Sequence, residues 1–174
     1  MTLVNEPKIA VRDMLRSRLP DPNPDRELKG DGSKKNWIHA GWPRSDLGKN
    51  SYPRISIIDI GQPGNIIDIG RSMEFMSSLQ IDVWVWADRK DPMVVSSWQG
   101  DTYLEGGKLV DAIAVQVRDS LDLYKGDLSD ATNQFHNLRI IDFADVPPEG
   151  RGAGQAELAR KRIGIELTWV NCPG

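Results

Sequence analysis

The sequence predicts an α+β fold, a mostly antiparallel sheet packed against two helices in the order α-β-β-β-α-β-β. Three observations predict it: a proline-led apolar run from Tyr52 to Ile60, an alternating tryptophan-rich stretch from Leu79 to Ala87, and a long amphipathic segment from about Leu104 to Lys125 with two strand patterns after it. No cluster of reactive side chains accompanies these elements. The pattern reads as a building block that fits against other proteins.

The first helix is expected within residues 6 to 19, where Val11, Met14, Leu15 and Leu19 share one stripe and Pro7 occupies the tolerated first turn. Pro20 ends it. From there to Ser51 the chain is polar and rich in Pro, Gly, Lys and Asp, without sustained periodicity. Loops beyond about 15 residues are usually functional. The stretch therefore reads as a long surface loop anchored by Trp37, Ile38 and Trp42, or as an arm that orders on a partner.

Arg54 to Ile60 reads as a strand, with Ile55 and Ile57 on one face and Ile58 and Ile60 on the other. Gly61 to Gly64 supplies turn chemistry, and Asn65 to Ile69 is expected to return as the second arm of a hairpin. In the next strand Leu79, Ile81, Val83, Val85 and Ala87 form the core face, opposite Gln80, Asp82, Trp84 and Trp86. Two indoles on that second face either lie under the chain's own long loop or form a subunit interface with Gln80 and Asp82 beside them.

Asp88 to Asp101 reads as irregular. Thr102 and Glu105 have the spacing of a capping box, Leu109, Val110, Ile113, Ala114, Val117 and Leu121 line one helical face, and Gly126 falls where a left-handed C-cap belongs. Strands are expected over Leu138 to Ala144 and Arg162 to Val170, the latter with Ile163, Ile165, Leu167 and Trp169 inward. Between them lies a protruding hairpin loop over 146–157, with Gly150, Arg151, Gly152 and Gln155 as candidate partner contacts alongside Trp37 and Trp42.

With 174 residues and 39% hydrophobic content the chain fills one core, so a single domain over 1–174 is expected. A net charge of −3 excludes a general basic surface for nucleic acid or anionic lipid. Cys172 alone forms no internal disulfide, and no run approaches the roughly 18 apolar residues of a membrane span. A soluble product made in cytoplasm is expected. His39 and His136 lie far apart and offer no zinc spacing, so neither metal nor cofactor is expected. The glycines at 150, 152 and 154 lack the Lys-Ser/Thr of a phosphate loop. Asp59, Asp68 and Asp82 on strands keep a magnesium-dependent nuclease as the alternative from another class, and a small binding module using the tryptophan face is a third. Arg160, Lys161 and Arg162 read as a solvated strand entrance or the lining of a channel for DNA.

Set in order, Tyr52-Pro53-Arg54-Ile55-Ser56-Ile57, Leu79 to Trp86, Gly107 to Ile113 and Arg162 to Leu167 make a chain that resembles the tail terminator, or tail completion, proteins of long-tailed phages and related archaeal viruses. The resemblance covers roughly residues 6–19 and 52–170 in pattern and order. It implies a non-enzymatic virion protein of the neck or tail, assembled in host cytoplasm. Such a protein joins copies of itself in a hexameric ring that caps the tail tube and meets the head connector, with DNA passing through unspecifically. The longer stretches at 20–51 and 88–101 leave a head-completion or stopper protein as the neighbouring alternative.

Overall fold

The computed structural model describes residues 6–43, 47–61, 67–69, 72–86, 92–97, 100–129, 133–147 and 158–171. It has the α+β class expected, with two helices and a mostly antiparallel sheet. The elements are α1 (Pro7–Arg18), β1 (Ile38–Ala40), β2 (Arg54–Gly61), β3 (Ile67–Ile69), β4 (Ser72–Trp86), β5 (Met93–Ser97), β6 (Gly100–Leu104), α2 (Gly106–Leu123), β7 (Asn133–Val146) and β8 (Leu158–Asn171).

The main sheet runs β1-β2-β4-β8-β7, with β3 paired to one end of β4. Every pairing in it is antiparallel except β1 with β2. Strand period decides which face is apolar. Ile55 pairs with Val83, Ile57 with Ile81, and Leu79 and Ile81 with Ile165 and Ile163, so one face is aliphatic throughout. Against it pack Val11, Met14 and Leu15 of α1 and Leu109, Val110, Ile113, Ala114, Val117 and Leu121 of α2, in one continuous hydrophobic cluster. Each fully buried aliphatic side chain contributes about 1.5–3 kcal/mol.

Several expectations need correction. The expected hairpin arm is not paired with the first strand where it is described: β3 pairs with β4, Ile69 opposite Ser72, and the antiparallel partner of β2 is β4 itself. The region 88–101 is not wholly irregular, because β5 and β6 form a ribbon whose Met93 and Val95 enter the core. Thr102 lies inside β6, paired with Val95. The N-cap of α2 is Glu105, which makes no side-chain cap bond, and the turn into the helix is made by Gly106 at φ +56°, a conformation glycine adopts without strain. Gly126 does not take a left-handed C-cap; it sits in a 3-10 turn over Lys125–Leu128.

The stretch from Pro20 is strapped down rather than free. Asn23, fully buried, donates from Nδ2 to the carbonyls of Asn50 (3.2 Å) and Tyr52 (3.0 Å). Arg26, also buried, donates to the carbonyls of Ser51 (2.9 Å) and Pro53 (2.6 Å) while paired with Asp21. Further along, Arg16 of α1 holds the carbonyl of Ile38 through two N–H groups, and β1 adds itself to the sheet. Buried backbone carbonyls need such donors, and two arginines and an asparagine supply them.

Candidate functional site

Among the described residues no helix packs on the second face of the sheet, and that face is not apolar. Register places Arg54 opposite Trp84, Ser56 opposite Asp82, Asp82 opposite Arg162, and Trp84 opposite Arg160. His39 of β1 joins the same face through its pairing with Ser56. A polar row therefore crosses β1, β2, β4 and β8.

At its centre Asp82 is fully buried and Arg160 nearly so, with Arg160 Nη2 donating to Asp82 Oδ2 at 2.6 Å. Gln80 donates from Nε2 to the same oxygen at 2.8 Å. The guanidinium of Arg160 lies 4.5 Å from the Trp84 ring centroid and 5.7 Å from that of Trp42. Trp86 is met edge-on by Tyr52 at 5.9 Å, and Lys49 stands 5.5 Å over its ring. Tyr52 and Lys49 thus cover part of Trp86, Arg160 lies against Trp84, and each indole is half-buried.

Among the described residues, seven buried side-chain polar atoms make no hydrogen bond: Arg54 Nε, Ser56 Oγ, Asp82 Oδ1, Trp84 Nε1, Trp86 Nε1, Arg160 Nε and Arg162 Nε. All seven belong to this face. Arg162 Nε stands 4.0 Å from Asp82 Oδ1, too far to satisfy either. Such atoms are rare in folded proteins and ask for an explanation where they gather.

Burial, and next the Arg54 guanidinium, push the His39 imidazole down to about 4, so at neutral pH it is uncharged. Its Nε2 donates to the Asn36 carbonyl at 2.9 Å, which fixes the tautomer. Arg54 is itself lowered from the usual arginine range, by burial first.

The chain matches no known family model and no curated protein. Function must therefore be read from the site. Of the residues expected there, Gln80, Asp82, Trp84 and Trp86 do share one face. Trp37 does not reach outward: it is buried in the helix-side core, whereas Trp42 is 59% exposed. Gly150, Arg151, Gly152 and Gln155 lie outside the described residues, as do Ala87 and Cys172. The basic triplet is split by strand period: Arg160 and Arg162 join the polar face, while Lys161 points to the helix side and bonds Asp111 and Asp145, each at 3.0 Å. It does not line one channel as a unit.

The nuclease carboxylates are likewise separated. Asp59 pairs with Lys8 of α1 at 2.8 Å on the helix side, and Asp82 is on the other face. Among the described residues no three His, Cys, Asp or Glu side chains gather as a metal site, and no helix is long and apolar enough to cross a membrane. The residues missed at the sequence level are His39, Arg54 and Ser56. Their signal was period two: Ser56 between Ile55 and Ile57 marks the face that Arg54 also occupies.

Proposed function

We propose that this chain is a structural subunit of a viral neck or tail, a terminator-like protein that assembles with copies of itself into a ring, likened to those that cap a tail tube and join it to the head connector while DNA passes through. The observation that carries the reading is the sheet face that no described helix covers, where the half-buried Trp84 and Trp86 share a face with Arg54, Arg160 and Arg162. Indole rings and arginine forks that stay partly exposed on one face are the residue types enriched at subunit contacts. Supporting it is the order α1, β2, β3, β4, α2, β7, β8, which keeps the α-β-β-β-α-β-β order of the family resemblance with β1 and the β5–β6 ribbon added. Subunit contacts of this kind bury about 800 Å² per partner.

Native mass spectrometry and negative-stain electron microscopy of the full chain test this. Rings of one stoichiometry, alone or on addition of a tail tube protein, are the expected result. A monomer at all concentrations, with no ring induced by tube or connector proteins, refutes it.

A further inference from the structure

We infer that α1 and the chain as far as Ala40 form one detachable guard over the outer edge of β2, and that Arg16 is the pin coupling the helix to the guard strand β1. The inference does not depend on the ring reading.

An edge strand carries a row of unpaired N–H and C=O groups that can take up a strand from another chain, and folded proteins cover such rows. Here the cover is β1, only three residues long and at the end of the sheet, with Ile38 opposite Ile55 and Ala40 opposite Ile57. Ile55 donates to the Trp37 carbonyl at 2.9 Å, and the Ile57 carbonyl accepts from the Gly41 N–H at 2.8 Å. Ile55 and Ile57 are therefore the residues of β2 whose backbone faces the guard. Strand alternation turns the backbone of Ser56 and Ile58 the other way, toward Asp82 and Gln80 of β4. The same alternation points the Ile38 carbonyl away from β2, and there Arg16 of α1 takes it, with Nε at 2.9 Å and Nη2 at 2.6 Å. A strand too short to stand on its own ladder is held from its outer side by the helix.

The guard is tied within itself. Besides the Arg16 fork, Arg26 pairs with Asp21, and Lys34 donates to the carbonyls of Asn23 (3.3 Å) and Pro24 (2.8 Å). Its hold on the body is lighter. With 12 residues α1 is at the lower limit of the about 12–15 at which a lone helix is even marginal. Two of its ion pairs to the body, Lys8 with Asp59 and Arg18 with Asp127, are within reach of solvent, where such pairs contribute little. Among the described residues the guard supplies six members of the hydrophobic cluster, Val11, Met14, Leu15, Leu19, Trp37 and Ile38, and the body supplies eighteen. Lifting the guard leaves the body most of its core, the imbalance from which local opening follows.

Amide hydrogen exchange of the full 15N-labelled chain tests this, comparing the wild type with R16Q and with I165V, a core change in β8. In the wild type Leu15, Ile55 and Ile57 should exchange through one opening step, at least about tenfold faster than Ser56 and Ile58, which stay protected until the whole sheet unfolds. I165V should speed Ser56 and Ile58 by about threefold or more and leave Ile55 and Ile57 unchanged, because the guard opens without disturbing β8. R16Q should speed Ile55 and Ile57 at least about tenfold and leave them faster than Leu15, since the fork that joined strand to helix is gone. Ile55 and Ile57 exchanging in step with Ser56 and Ile58, or all four responding alike to I165V, overturns the guard as a separate unit. An R16Q chain in which Ile55 and Ile57 keep wild-type exchange overturns Arg16 as the pin, and one that does not fold at all overturns both, because a detachable guard is dispensable to the body.

Discussion

Removing the charge of Asp82 while keeping its shape, Asp82→Asn, isolates the central ion pair. The carboxylate is completely buried and Arg160 is 8% exposed, so both ions have left water. Their attraction at 2.6 Å exceeds the roughly 4 kcal/mol that two charges 4 Å apart feel at an effective dielectric of 20. Desolvation of several kcal/mol per ion offsets that, leaving the intact pair close to neutral in net terms. Breaking it is another matter, because the arginine stays buried and unpaired. The expected cost is about 3–5 kcal/mol. A chain of this size loses about 2–4 °C of melting temperature per kcal/mol, so the transition should fall by at least about 6 °C. Calorimetry and urea titration read both quantities. In Asp82→Asn/Arg160→Met the stranded cation is gone, and the loss should shrink to half or less, giving a favourable coupling energy of about 2 kcal/mol in the double-mutant cycle. A single mutant costing under about 1 kcal/mol, or a double mutant costing the sum of the singles, refutes the account of the pair as mutually dependent.

Four further outcomes are expected. Trp84→Ala with Trp86→Ala should weaken association by sedimentation while the circular dichroism spectrum stays folded, since both rings are half-buried; unfolding with no preceding association defect would show them to be core. His39, held at about 4, is neutral in the fold while the unfolded chain takes up a proton below its ordinary 6.5, so stability should be full above that pH and fall as pH drops toward 4. The whole linkage is about 3 kcal/mol, which solvent at a half-buried ring reduces to about 1, and His39→Gln should flatten the slope of urea-derived stability against pH. Arg26→Lys keeps the charge but loses the fork that holds Ser51 and Pro53, for a cost of about 2 kcal/mol in the urea midpoint. Gly164→Ala sets a methyl 3.0 Å from Asp142 Cβ and 3.2 Å from Ile141 Cγ1 at the β7 bulge, and calorimetry should register a loss of about 1–3 kcal/mol.

How much of this was legible in the sequence depends on whether the signal was local. The period-two run from Leu79 to Val85 and the helical stripe from Leu109 to Leu121 gave both faces correctly, because burial is imposed by the element's own repeat. Pairing was not legible for β3: turn residues after Gly61 suggest a hairpin with β2, but β4 is long enough to take both, and its register with β2 and β8 leaves β3 only its far end. The capping box at Thr102 failed for a tertiary reason, since pairing with Val95 makes Thr102 part of β6 and the N-cap of α2 falls at Glu105. Irregular composition hid β1, a three-residue strand recruited through Arg16 and the parallel edge of β2 rather than by any propensity of its own. At the candidate site the four residues of β4 were readable from alternation, whereas Arg54, Ser56 and His39 become neighbours only through cross-strand register.

The polar face also bears on why such a sheet persists. A buried donor or acceptor without a partner costs about 1–3 kcal/mol, and seven such atoms gather on this face among the described residues. The aliphatic face opposite is continuous from Val11 to Leu167 and carries the fold despite that burden. Apolar residues at Arg54, Ser56, Asp82 and Arg162 would remove the cost and yield a sturdier sheet, at the risk of pairing with any greasy surface. Keeping charged forks and indoles there makes the face unattractive to casual apolar partners. In the proposed ring, a partner covering this face would add its binding energy to the folding energy of each subunit.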